Sequence, residues 1–360
     1  MINQLKLCNF AKNTIMTKFE CSILRGLAIL CIILHNYSHS LPGIAKENEF
    51  AFSASHNEYF CQTIIGKDFI LNLFSYWGYL GVPIFVFLSG YGLTQKYDKC
   101  KKIYASNFLR SHYLKLFVPL LLGTLVYMVI SFYVGSLEYS IPRIILQCTM
   151  LLNIVYPYEC YYAPGPYWYF GLTMQFYIIY YLFVYKKTLN YLIVLTILSH
   201  IILALLQNYT KVLIFTKYNF IGWMLPFCMG VIFSRKLNDK IIPKKLLIIF
   251  ISSSFLLLII FGYSYQLWLM IPIIVVIIAL CLIKLLPSRL LPIFNYIGKV
   301  SLLIFVIHPI VRNLTLSLAL NNNYYWGISA YVSITICVAF LVSQVLRFIS
   351  VFCKHSMNYR

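Results

Sequence analysis

The sequence predicts an all-α, polytopic integral membrane protein with about ten transmembrane helices and both termini on the cytoplasmic side. Three observations lead there. Of the 360 residues, 61% are hydrophobic and only 11% are charged. A soluble domain is about half apolar and about a quarter charged, so a water-soluble fold of this length could not hide so much apolar surface. The apolar residues fall into discrete runs of membrane-spanning length, and the basic residues gather in alternate loops between them.

Apolar runs lie near 21–41, 72–95, 113–134, 166–185, 189–208, 213–234, 246–262, 266–286, 294–316 and 326–351. Runs of this length each predict a spanning helix. The first follows a polar, lysine-containing start (Lys6, Lys12, Lys18) without a small-residue cleavage site, so it is expected to stay in the protein rather than act as a cleaved signal. The loop at 96–111 carries Lys96, Lys99, Lys101, Lys102 and Arg110, and Lys186 and Lys187 follow the fourth run. Arg235, Lys236, Lys240, Lys244 and Lys245 follow the sixth, and Lys284 and Arg289 the eighth. The positive-inside rule puts these loops and both termini in the cytoplasm, with Lys211 and Lys217 as mild exceptions. The opposite loops are poorer in cations. The 42–71 loop holds Glu47, Glu49, Glu58 and Asp68, and the 135–165 loop contains an apolar stretch at 141–155 that is too short to span and is read as interfacial or re-entrant. No internal repeat and no linker divides the chain, so 1–360 reads as one transmembrane domain, with 1–20 as a cytoplasmic N-terminal segment.

The net charge of +20 would suggest nucleic acid on a soluble protein. Here the cations sit between apolar runs, so topology and anionic lipid headgroups account for them and no nucleic-acid partner is expected. The 11 cysteines are scattered without a CxxC pair, and no metal is expected. Cys61 and Cys160 both fall on the outer side, where a disulfide could persist.

All 9 acidic residues lie in loops or at run ends, which counts against an ion-coupled transporter and leaves histidine as the main acid–base candidate within the membrane. His35, His39, His200 and His308 fall within runs. Arg25 shares the first helix with His35, roughly 15 Å below it along the axis. Two readings stand side by side for this pair: a snorkelling arginine with a hydrogen-bonded interior histidine, or a functional pair facing water or protein. His39 shares a helix face with His35 and reads as interfacial, or as a partner or alternative to it; the i, i+4 spacing would also suit a metal, but no acid accompanies the pair in the helix. His200 reads as structural. The run Phe85-Val86-Phe87-Leu88-Ser89-Gly90-Tyr91-Gly92 is explained by close helix packing alone.

Five runs, in order, resemble the integral-membrane acyltransferase family 3, which includes bacterial O-acetyltransferases of surface polysaccharides. They are Arg25-Gly26-Leu27-Ala28 with Ile32-Ile33-Leu34-His35; Phe85–Gly90; Trp168-Tyr169-Phe170 through Phe176-Tyr177; Leu225-Pro226-Phe227-Cys228-Met229-Gly230; and Ile297-Gly298-Lys299-Val300-Ser301 with Ile304-Phe305-Val306-Ile307-His308-Pro309. The chain departs from the family in two places. Its Arg25-to-His35 spacing is one residue short, and its paired-arginine motif is imperfect, with Arg110, His112 and Lys115 ahead of Pro119. No soluble esterase domain follows the last run, so transfer is expected to finish in the membrane domain or on a partner.

The resemblance implies an O-acyltransferase in the cell membrane, a bacterial inner membrane by analogy, that takes an acyl group (acetyl foremost) from acyl-CoA to a carbohydrate hydroxyl. In that reading His35 is the catalytic base, with His39 and His308 as partners that support it or as alternative bases. Arg25, Arg110 and Lys115 hold CoA phosphates, Ser89 and Tyr91 line the acyl passage, and Trp168 stacks on sugar. The alternatives are a transporter or flippase of a lipid-linked glycan, or a non-catalytic membrane subunit of polysaccharide assembly.

Overall fold

Each apolar run of the sequence holds a helix in the computed structural model, which describes residues 16–134, 141–155, 165–236, 243–321 and 323–357. Helix α1 (Lys18–Ser38) starts at a capping box: Thr17 accepts from the Glu20 backbone N–H, and the Glu20 carboxylate accepts from the Thr17 N–H. The short α2 (Ala54–Gln62) follows an extended loop. Helices α3 (Phe69–Trp77) and α4 (Gly81–Tyr97) run on through one 3₁₀ turn at Gly78–Leu80, and α5 (Ala105–Val134) carries Pro119 in its interior. The stretch at 141–155 forms two short helices, α6 (Ile141–Cys148) and α7 (Leu152–Val155).

Helix α8 (Trp168–Ile179) ends in a π turn at Tyr180–Val184, followed by α9 (Leu189–Leu205). Helices α10 (Thr210–Lys217) and α11 (Met224–Lys236) flank a 3₁₀ turn at Phe220–Trp223, and the pair is bent by 72°. The rest comprises α12 (Lys244–Phe261), α13 (Tyr265–Trp268), α14 (Ile271–Leu285), α15 (Leu291–Lys299), α16 (Ser301–Asn321) and α17 (Tyr324–Met357). Six helices among the described residues are long and apolar enough to cross a membrane, seven if the bent pair counts as one span. That is fewer than ten uninterrupted spans because several runs are broken. A π turn divides the fourth, the bend divides the sixth, α9 and α14 are short, and the run read as one span at 294–316 is two helices that meet at Val300.

Two helix crossings hold the centre. Gly90 of α4 and Gly230 of α11 lie against each other's helix: a Cβ on Gly90 would strike the Phe227 carbonyl, and one on Gly230 the Phe87 carbonyl. Gly26 of α1 and Gly298 of α15 repeat the arrangement, against the Phe294 and Ser22 carbonyls. Small residues let backbones touch in a medium that supplies no hydrophobic drive between helices. Around this centre α5, α9 and α12 turn Leu, Ile and Val side chains outward, such as Leu122, Val129, Ile201, Ile249 and Leu256, as lipid-facing helices do.

Two cavities sharing one wall

The first cavity, of about 530 Å³, is walled by α1, α4, α5, α8, α15 and α16. Its polar lining is cationic: Arg25, Lys96, Lys115 and Lys299 reach it, with His112, Ser89, Thr173 and Tyr177. Among the described residues no carboxylate lines it. His112 Nδ1 donates to the Phe108 carbonyl at 2.7 Å, and its ring packs on Tyr177 with centroids 4.3 Å apart. Lys299 arrives here because α15 ends beside the cavity, where Gly298 crosses α1 at Gly26.

The second cavity, of about 340 Å³, is lined by His35, Asn36, His39 and Ser40 of α1, by Glu47, Glu49 and Phe50 of the following loop, and by Tyr79, Trp168, Tyr218 and Arg312. Positions 25, 32, 36 and 39 repeat at helical spacing, so one face of α1 runs through both cavities. Three residues line both: Ile32, Tyr169 and Phe305. The Tyr169 and Phe305 rings meet edge to face at 5.7 Å and, with Ile32, form a thin apolar wall between the two spaces.

His35 is buried, and its Nδ1 lies 2.9 Å from the Ser75 carbonyl. A carbonyl only accepts, so Nδ1 carries the proton and Nε2 keeps its lone pair. Ser75 lies in the last turn of α3, where carbonyls lack partners within the helix, and Gly78 lets the next turn press against the His35 backbone. The ring therefore has one tautomer and one orientation. His39 Nδ1 pairs with Glu47 Oε2 at 2.5 Å, and the His35 and His39 rings stand 5.5 Å apart.

The acidic loop is tied down at several points. Ala45 N–H donates to Asn72 Oδ1 at 2.8 Å, and the Ser75 hydroxyl donates to the Ala45 carbonyl. Trp268 Nε1 donates to the Asn48 carbonyl at 2.8 Å, and Lys46 Nζ to the His39 carbonyl at 2.7 Å. Burial alone would raise the Glu47 carboxyl, but its contact with His39 overrides that and holds it down at about 2. Glu49 is different. Burial and the adjacent Glu47 charge push it well above the usual carboxylate range, and the Lys217 ammonium draws it back only in part. Lys217 itself lies between the Trp223 and Trp268 rings, at 4.7 and 4.6 Å from their centroids.

Of the residues singled out in the sequence, Arg25, Ser89 and Lys115 come together in the first cavity, and His35, His39 and Trp168 in the second. Three do not line either. Tyr91 lies two residues from Ser89, hence on the opposite face of α4, where it packs on Phe87 and Phe233 and donates its hydroxyl to the Met16 carbonyl. Arg110 is exposed, more than a turn from Lys115 on α5. His308 is fully buried, with Nδ1 at 3.2 Å from the Ile304 carbonyl; Arg312, one turn on, reaches the second cavity instead. His200 lies in a structural setting, between the Thr196 and Leu269 carbonyls at 3.1 and 3.4 Å. The walls also contain Lys96 and His112 of the basic 96–115 segment, which the resemblance and the charge pattern already point to as a docking site for CoA, and Lys299, Glu47, Glu49 and Arg312, none of them given a site role by number from the sequence. The only signal for two of them was the crowding of acids in the 42–71 loop. Cys160 lies outside the described residues, so its pairing with Cys61 does too.

Fold and cavities together define a polytopic helical membrane protein with a cation-lined chamber backed against a histidine–carboxylate chamber. The chain belongs to the acyltransferase 3 family: the family's acyltransferase domain matches residues 21–346. It is a multi-pass membrane acyltransferase, and so takes an acyl donor and an acceptor. No curated protein and no solved structure matches the chain.

Proposed function

We propose that this acyltransferase moves an acyl group, acetyl foremost, from cytoplasmic acyl-CoA to a hydroxyl of a surface or lipid-linked carbohydrate. The observation that carries this reading is the wall of Ile32, Tyr169 and Phe305, common to a cavity suited to phosphates and a cavity suited to a hydroxyl nucleophile. A thioester carbon at the wall would meet the attacking oxygen while each polar partner stays in its own chamber.

Arg25, Lys96, Lys115 and Lys299 hold the CoA phosphates, arginine through bidentate contacts. Ser89 borders the acyl passage, and Trp168 stacks on sugar. His35 Nε2 takes the hydroxyl proton as the oxygen–carbon bond forms. Collapse of the tetrahedral adduct breaks the carbon–sulfur bond, and the departing thiolate takes up the proton that His35 received, which restores the neutral base. The Glu47 carboxylate offsets the imidazolium charge while His35 holds the proton, as the third member of a base–orienter arrangement would. Loop charges put the first cavity toward the cytoplasm, with both termini, and the second toward the outside.

Purified protein in lipid nanodiscs is expected to consume acetyl-CoA only when a carbohydrate acceptor is present, and mass spectrometry of surface glycans should lose an acyl mass when the gene is deleted. A flippase or a non-catalytic subunit would leave acyl-CoA untouched. External labelling of Lys101→Cys in sealed cells would overturn the orientation.

A further inference from the structure

Among the described residues that line the second cavity, one ion pair forms, between His39 and Glu47. Burial pushes the neighbouring Glu49 toward its neutral form, although the Lys217 charge draws it partly back. Arg312, within the span Ser301–Leu320, also lines this cavity, and among the described residues it meets no carboxylate. Its one hydrogen bond among them is long, from Nη1 to the Asn36 carbonyl at 3.4 Å. A guanidinium has five N–H groups, so most of its donor capacity stays open. Gly165 borders it: a Cβ there would stand 3.9 Å from Nη2. An arginine inside a membrane span is costly unless it meets an anion or water. The donor's phosphates do not fill that role, because their cationic chamber lies beyond the Ile32–Tyr169–Phe305 wall. Asn36 is also the chain neighbour of His35, so an anion on Arg312 would be held close to the base.

We infer that the second cavity is built for an anionic saccharide, whose carboxylate or phosphate pairs with the Arg312 guanidinium while a neighbouring hydroxyl reaches His35. This rests on the reading of that cavity as the acceptor site. Trp168 supplies the stacking face, and Asn36 and Ser40 line the same space. Arginine rather than lysine suits the role, since its planar fork matches two oxygens at once.

The test measures binding to the full-length protein in nanodiscs by tryptophan fluorescence, alongside acyl transfer. The probes are methyl glucoside, methyl glucuronide, the methyl ester of that glucuronide, and glucose 1-phosphate. One or both anions are expected to bind about tenfold or more tightly than the neutral sugars. The stronger of the two identifies the group as carboxylate or phosphate. Arg312→Gln should bring all four probes to one affinity while acetyl-CoA binding persists, and Arg312→Lys should keep part of the preference. Equal affinities in the wild type, or a preference that survives Arg312→Gln, overturns the inference; if Arg312→Gln does not fold, an undiminished preference in Arg312→Lys argues against a bidentate site and overturns it equally. Absence of acetyl-CoA consumption with every probe would instead remove the transferase reading, while the affinity comparison still decides whether Arg312 binds an anion.

Discussion

The two cavities differ in how they handle charge. The first gathers Arg25, Lys96, Lys115 and Lys299 with no acid among its lining residues, so an incoming anion meets one sign of field. The second holds both signs, mostly matched, and invests its polar groups in fixing geometry: the Ser75 carbonyl sets the His35 tautomer, and Glu47 fixes His39. A chamber of the first kind can bind a charged ligand without orienting it closely. A chamber of the second kind binds less by charge and can position one proton acceptor. Substitutions should therefore separate them, affinity failing in one and turnover in the other.

The largest expected effect is on turnover. His35→Gln keeps polarity and approximate size but offers no basic nitrogen, so kcat should fall roughly 10²–10⁴-fold with acetyl-CoA binding retained. His39→Gln is the control one turn further along the same face. If His35→Gln is folded and near wild-type in rate while His39→Gln is inactive, the base is His39 with its Glu47 partner.

The next effect belongs to the first cavity. Lys115→Ala or Lys299→Ala should weaken acetyl-CoA binding by about 1–3 kcal/mol, with the acceptor KM little changed. Arg110→Ala, an exposed position away from the lining, should leave donor affinity alone. A titration series by calorimetry would show whether donor binding follows the cavity wall or the family's paired-cation motif.

A smaller effect concerns pH. The Glu47 carboxyl is held at about 2, below its ordinary value near 4.3. An acid depressed by folding adds stability that is present above its unfolded value and is lost as pH falls through the folded one. Between about pH 4.3 and 2, wild type should therefore lose about 1–2 kcal/mol that Glu47→Gln never had, visible as converging melting temperatures. The least effect is expected at Glu49, whose carboxyl burial and the Glu47 charge push toward the neutral form. Glu49→Gln resembles that neutral form and should change stability by less than about 1 kcal/mol, whereas Glu47→Gln at neutral pH should cost more.

Much of this was legible in the chain. Hydropathy locates the helices because the lipid-facing ones must be apolar along their whole length, and Arg25, His35, His39, Ser89, Lys115 and Trp168, all singled out from the chain, lie on cavity walls. What was not legible depended on helix phase and on crossings. Tyr91 was grouped with Ser89 by adjacency, yet two residues along a helix reverse the face. Lys299 looked like the interior of a span until the break at Val300 placed it at a helix end. Arg312 and the acids Glu47 and Glu49 come from segments far apart in sequence and line one cavity because the 39–53 loop is fastened to α3 at Ala45. Gly26, Gly90, Gly230 and Gly298 of the resembling motifs are contact points of backbone on backbone, Gly298 alone of these reaching a cavity lining, whereas Gly171 meets the Asn153 side chain.

The crossing of Gly26 on Gly298 has an energetic consequence for the empty protein. Each glycine is flanked by a cation, Arg25 on one helix and Lys299 on the other, and both line the chamber that Lys96 and Lys115 also enter, with no carboxylate among the described lining residues. The unliganded protein therefore carries a standing repulsion that the surrounding electrolyte can screen and a polyanion can discharge. Its melting temperature should climb as ionic strength rises, climb further with millimolar pyrophosphate by mass action, and lose much of both responses in Lys299→Gln.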